Sequence, residues 1–280
     1  MVDSSNNSSN NSNNNNSNID ENSKNGFRVA ERNPSSAYKK FRKQSKEDDG
    51  KITNSDIKKH LDERLRFLHQ RAMIIEDKML KLDEGRFFRA CVFGSARIKA
   101  GDPVYDMVFE LARLLAREGI DVLTGGGPGL MEAGNYGAEI GQQENNTRSL
   151  SFGLPIQLEF EPDPNIHLDV RRHHYRFSHR LDDFMRLSNI VICTPGGIGT
   201  LLELFFSWQL VQVKHIAMRP IILLDKSYWQ GLLDWMHAEP NRRKLISDKD
   251  FDFVHLVDTP AEAMEIVKDE HQKFLEKKKV

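Results

Sequence analysis

Six short apolar runs alternate along this chain with stretches of helical periodicity, and that alternation leaves few folds open. The runs are Phe87–Phe93, Ile120–Leu123, Ser149–Leu154, Ile190–Cys193, Pro220–Leu224 and Phe253–Val257. Each is mostly apolar on both of its faces, as expected for strands covered on both sides. Between them, Val104–Arg117 places Val104, Met107, Val108, Leu111, Leu114 and Leu115 on one helical face. Further helices are expected over 131–140, 170–187, 201–213 and 229–236, and from Pro260 to about Glu276 behind a cap at Asp258-Thr259. The stretch 131–140 is rich in small residues (Ala133, Gly134, Gly137, Ala138), which predicts close packing against the sheet. Strand–helix alternation with two-sided strands specifies an α/β fold: a doubly wound, Rossmann-like parallel sheet with helices on both faces.

Such sheets bind ligands at the carboxyl ends of their strands. Three glycine-containing turns fall at such ends here: Gly94-Ser95-Ala96-Arg97, Gly125 to Gly129, and Gly196 to Thr200. The third is the most telling. Pro195 ends a strand, and Gly196, Gly197 and Gly199 let an anion approach the main chain before a helix restarts. Free N–H groups and the positive end of the helix dipole suit a phosphate there. A dinucleotide site would need G-x-G-x-x-G, yet the first loop has only Gly94, and Leu130 stands where the second loop needs its third spaced glycine. No lysine follows any of these glycines as a triphosphate-binding P-loop requires.

Outside this α/β region, 86–280, the chain changes character. Residues 1–50 are dominated by Asn and Ser and then by charge, a composition that predicts disorder; Lys39-Lys40-Phe41-Arg42-Lys43 is the alternative, an interaction tail. Residues 51–85 form a helical extension, with Ile57, Leu61, Leu65, Leu68, Ala72, Ile75, Met79 and Leu82 on one amphipathic face and Asn54 or Ser55 as cap. Net charge is −1, which gives no electrostatic case for nucleic acid or a membrane surface. With two cysteines, Cys91 and Cys193, in apolar runs, no 18-residue apolar span and no N-terminal apolar leader, a cytoplasmic protein with reduced, buried thiols is expected.

Two of the glycine loops carry a resemblance. Gly125-Gly126-Gly127-Pro128-Gly129-Leu130-Met131 resembles the G-G-G-x-x-G-L-M motif of the LOG family, one residue shorter between its glycines. Pro195 through Glu203 matches that family's P-G-G-x-G-T-x-x-E motif at every fixed position. The resemblance covers about residues 87–240. It implies a phosphoribohydrolase that cleaves a nucleoside 5′-monophosphate to free base and ribose 5-phosphate. It also implies a homodimer or larger homo-oligomer, with no metal or organic cofactor. Some relatives carry a lysine decarboxylase label, but no lysine here sits in a recognisable pyridoxal-phosphate context.

Breaking a ribosyl–base bond passes through an oxocarbenium-like sugar, which a nearby carboxylate stabilises or supplies with an oriented water. Glu203, about one turn into the helix, is the candidate. Arg180, fifteen residues before Pro195, matches the family's catalytic arginine and is expected to clamp phosphate or ribose; Arg171, Arg172, Arg176 and Arg186 compete for that role. Expected substrate contacts are Gly94, Ser95, Gly126, Gly127, Gly196, Gly197, Ile198, Gly199 and Thr200, with Met131 bordering the base and Glu161 on a loop resembling that of longer bacterial members. Leu181 stands where cytokinin-activating members have lysine, and Leu202 where many members have a second glutamate, which favours an ordinary nucleotide, a purine such as AMP, over a prenylated one. His173, His174 and His179 lack the companions of a metal ligand set. Trp208, Trp229 and Trp235 fall at apolar helical positions, as for core or interface. The alternative reading is a non-catalytic nucleotide-binding or carrier protein on the same fold, which would need the glycines but not the carboxylate.

Overall fold

The computed structural model describes residues 54–83, 86–156 and 163–278. The expected tail over 1–50 and the substrate-loop residue Glu161 lie outside the described residues. The chain divides into two units, Met1–His69 and Gln70–Val280. Helix α1, Asn54–Asp83, begins in the first and ends in the second. In the first unit, Ile57, Leu61, Leu65 and Leu68 of its apolar row are exposed.

The second unit is a single seven-stranded sheet in which every paired strand is parallel. In chain order its elements are β1 (Arg89–Phe93), α2 (Pro103–Arg117), β2 (Asp121–Thr124), α3 (Leu130–Asn145), β3 (Ser151–Gly153), β4 (Val170–Arg171), α4 (Phe177–Leu187), β5 (Ile190–Cys193), α5 (Ile198–Gln212), β6 (Ile221–Leu224), α6 (Lys226–Met236), β7 (Val254–Val257) and α7 (Pro260–Lys277). The strands lie in the order β4-β3-β2-β1-β5-β6-β7. The chain therefore winds outward from β1 through β4, returns to place β5 beside β1, and winds outward again. That reversal opens a crevice beyond the carboxyl ends of β1 and β5.

Side-chain alternation explains the two-sided apolar runs. Ala90, Val92, Ile190 and Ile192 belong to one buried cluster, with α2, α3 and α7. Cys91, Phe93, Val191 and Cys193 belong to the other, with α4, α5 and α6. Both cysteines are buried free thiols, and burial raises both well above the ordinary thiol range, which makes them inert.

One expectation is corrected. The segment 170–187 is not one helix: Val170 and Arg171 pair with Phe152 and Gly153 as an edge strand, His174 bridges to Ile156, and helix begins at Phe177. Pairing to the open edge of β3 overrides the local helical pattern. The histidine pair thus sits ahead of the helix, with His173 exposed and His174 buried against Asp183, Nε2 to Oδ2 2.7 Å. The small residues of α3 pack against the sheet, as expected, where a Cβ at Gly134 would lie 3.3 Å from Thr124 Cγ2 of β2, and also against a neighbouring helix. A Cβ at Gly137 or Gly141 would lie 2.1 Å from the carbonyl oxygen of Phe109 or Arg113, both on α2. Of the three tryptophans, Trp208 and Trp229 are core residues and Trp235 is exposed.

Candidate active site

Three loops meet at the switch point, and backbone hydrogen bonds tie them to one another. Ser95 N–H donates to Pro195 O (3.1 Å), joining the loop after β1 to the loop after β5. Leu130 N–H donates to Ser95 O (2.9 Å), joining the loop after β2. Glycine is required where the loops touch. A Cβ on Gly94 would stand 2.3 Å from Thr194 Oγ1, and Gly129 has φ +71° with Ser95 O 2.6 Å from where its Cβ would be.

The crevice is a cleft of about 460 Å³. Gly94 and Ser95 line one side with Ala96 and Arg97, while Gly197, Ile198, Gly199 and Thr200 line the other. Met131, Arg180 and Glu203 complete it. Helix α5 begins at Ile198, three residues earlier than its apolar stretch suggests, and no side chain caps it. Its first amides therefore face the cleft without a capping partner, an anion-binding arrangement. Nothing would crowd a Cβ at Gly197 or Gly199, so there glycine serves access; at Gly196 a Cβ would meet the buried Thr200 hydroxyl.

Glu203 and Arg180 form the ionisable pair. Arg180 Nη1 lies 4.0 Å from Glu203 Oε1, with the two side chains 12% and 14% exposed. Burial pushes the Glu203 carboxyl up to about 7, against the pull of the Arg180 charge in the other direction. The guanidinium is held by backbone: Nε donates to Leu154 O (2.7 Å) and Nη2 to Gly125 O (3.4 Å), with the Phe184 ring 5.2 Å away. A Cβ on Gly125 would sit 2.4 Å from Nη2, so the first glycine of the second loop makes room for the arginine. Of the competing arginines, Arg172 is committed to Asp183 (3.0 Å).

Residues 131–267 match a family described as possible lysine decarboxylase, the family that holds the LOG proteins. That match supports the resemblance to the LOG family over this stretch. A relative from Escherichia coli K12, named pyrimidine/purine nucleotide 5′-monophosphate nucleosidase, is 33% identical over 90 residues. The match covers 31% of this chain and only 20% of that protein, as it does for the same-named protein of E. coli O157:H7. Among solved structures, the structural-genomics target TM1055 aligns with a TM-score of 0.50 and 24% identity, over 65% of this chain and 99% of that one. The molybdenum cofactor binding protein of Rippkaea orientalis aligns at 0.49 and 22%, over 66% and 97%. At that identity the likeness to TM1055 speaks to the fold alone.

Three sequence-derived contacts stand off the cleft lining. Gly126 N–H donates to Thr124 Oγ1, and the carbonyls of Gly126 and Gly127 accept from Asn165 N–H and Nδ2 (both 2.9 Å), so these groups hold the loop itself. The carbonyl of Gly196 accepts from the Tyr228 hydroxyl. Sequence reasoning missed Asn165 and Tyr228, which lie outside the glycine motifs, and passed over Arg97, which it had quoted as part of the first turn. Among the described residues, no three His, Cys, Asp or Glu side chains gather as a metal site, and no helix is long and apolar enough to cross a membrane.

Proposed function

We propose that this protein hydrolyses the N-glycosidic bond of a nucleoside 5′-monophosphate, most readily a purine nucleotide such as AMP, to free base and ribose 5-phosphate. The observation that carries the reading is Glu203, a carboxyl held near neutrality on the cleft wall beside Arg180 and one turn below an uncapped helix N-terminus. Phosphate on the amides of Ile198 to Thr200 leaves the sugar beside Glu203. Its carboxylate stabilises positive charge at C1′ as the C–N bond breaks and orients the attacking water. That water's oxygen ends on C1′, one of its protons is released, and the leaving base takes up a proton. Arg180, already fixed by two carbonyls, costs little reorganisation when it positions the ribose and tempers the charge on Glu203. The name of the E. coli relative supports the same reaction class.

We further propose a homo-oligomer. Ile198, Leu202 and Phe205, spaced i, i+4 and i+7 on α5, present an exposed apolar stripe that starts at the cleft.

The deciding experiment is base release from AMP, GMP, CMP and an N6-modified AMP by purified protein. Release from at least one, with ribose 5-phosphate as co-product, is expected. Nucleotide-dependent thermal stabilisation without release would make the cleft that of a non-catalytic nucleotide carrier.

A further inference from the structure

Among the described residues the cleft lining includes two arginines, and the structure gives them different surroundings. Arg180 is drawn inward: carbonyls of Leu154 and Gly125 take its Nε and Nη2, and its remaining nitrogen faces Glu203. That places its charge at the acidic wall. Arg97, also on the cleft lining, is exposed and, among the described residues, its side chain has no ion-pair or hydrogen-bond partner. Its backbone is nonetheless fixed, because Arg97 N–H donates to Ser95 Oγ (3.1 Å) and Ser95 N–H donates to Pro195 O (3.1 Å). The turn that carries Arg97 is thereby locked to the loop that starts α5. An unpaired guanidinium on a fixed turn, sharing a cleft with uncapped helix amides and the Thr200 hydroxyl, complements a dianion better than amides alone.

We propose that Arg97 is the phosphate-binding cation of this site and sets its preference for a 5′-phosphorylated ligand, while Arg180 serves the sugar and Glu203. The proposal rests on the nucleoside monophosphate reading and adds to it a division of labour between the two arginines. Arg97 acts on binding: its contact is the same in the ground and transition states, so it lowers KM and leaves kcat alone.

The test compares the full-length wild type with Arg97→Ala and Arg97→Lys, using AMP as substrate and ribose 5-phosphate, against ribose, as inhibitor of base release. Arg97→Ala is expected to raise KM for AMP by about 10- to 100-fold, with kcat within about threefold. Inhibition by ribose 5-phosphate weakens in parallel, and Arg97→Lys recovers part of both because it keeps the charge but not the planar fork. An unchanged KM, or a fall in kcat at unchanged KM, overturns the role of Arg97 and leaves the hydrolase reading intact. If the wild type releases no base, the hydrolase reading falls and thermal stabilisation by ribose 5-phosphate decides the rest. Stabilisation of the wild type that Arg97→Ala loses sustains the phosphate contact; equal or no stabilisation in both overturns it.

Discussion

Arg180 and Glu203 face each other at 4.0 Å in a cleft wall that buries both, yet the carboxyl is held near 7 and not below the usual carboxylate range. Desolvation of Glu203 outweighs the arginine because the guanidinium is shared with the carbonyls of Leu154 and Gly125, and a 4.0 Å approach is long for a hydrogen-bonded pair. A carboxyl poised at neutrality changes its proton with little free energy.

Replacing that carboxyl isolates its chemical role. Glu203→Gln keeps the shape and removes the charge, so base release is expected to fall by about 10²- to 10⁴-fold. Nucleotide affinity, measured by thermal shift or calorimetry, stays within a few-fold, because the group acts mainly on the developing sugar cation. Retained turnover in this variant would remove Glu203 from the mechanism.

The same residue sets a pH profile. The ionised form is the working form, so kcat/KM is expected to rise with pH through a midpoint near 7. Arg180 lowers that value, so Arg180→Met moves the midpoint upward as well as slowing the reaction. A midpoint that stays in place on removal of Arg180 would deny their coupling.

Stability follows with the opposite sense. The folded carboxyl titrates near 7 and the unfolded one near 4.5. Between these values the native state holds a proton that the unfolded state has released, so stability falls as pH rises through this window. Glu203→Gln is indifferent to that window. It is expected to be more stable than the wild type at pH 8, by on the order of a few kcal/mol, and to lose the advantage at pH 4.5. Paired denaturation curves at the two pH values measure it.

How far the sequence carries depends on the range of the interaction. The doubly wound sheet follows from six two-sided apolar runs, because burial on both faces leaves its mark along most of each strand. The seventh strand escapes the pattern: Val170–Arg171 is two residues long and is defined by its partner β3, not by its own composition. At the cleft, the glycines before α5, with Thr200 and Glu203, are legible because their spacing is local. The grouping with Met131 and Arg180 becomes visible only once β1, β2 and β5 lie side by side. Asn165, whose backbone and side chain hold the carbonyls of Gly126 and Gly127 from 38 or more positions away, leaves no signal of comparable strength.

The exposed stripe on α5 makes a prediction about assembly. Leu202→Glu or Phe205→Glu places a charge on the apolar face without touching the core beneath, where Leu204 and Trp208 are buried. Light scattering after size exclusion is expected to give an oligomer for the wild type and a smaller species for either variant. A monomeric wild type would remove the proposed association.

Gly129 tests whether the loops act as one unit. Its φ of +71° disfavours any side chain, and a Cβ there would also stand 2.6 Å from Ser95 O and from the carbonyl carbon of Ala96. Neither group yields easily: Ser95 O accepts from Leu130 N–H, and Ser95 N–H is held by Pro195 O. Gly129→Ala must therefore distort the loop after β2, the loop after β1, or both. A loss of about 2–4 kcal/mol is expected in chemical denaturation, from the combined strain and clash. Because the first loop is bonded to the third, the distortion reaches the α5 N-terminus, and nucleotide-dependent stabilisation should weaken along with intrinsic stability. Gly101, at φ +94° with open space around its Cβ position, is the control. Gly101→Ala carries backbone strain alone, so it should destabilise less and leave nucleotide-dependent stabilisation unchanged. If both variants weaken ligand stabilisation equally, the effect comes from general destabilisation and the three loops are not mechanically joined.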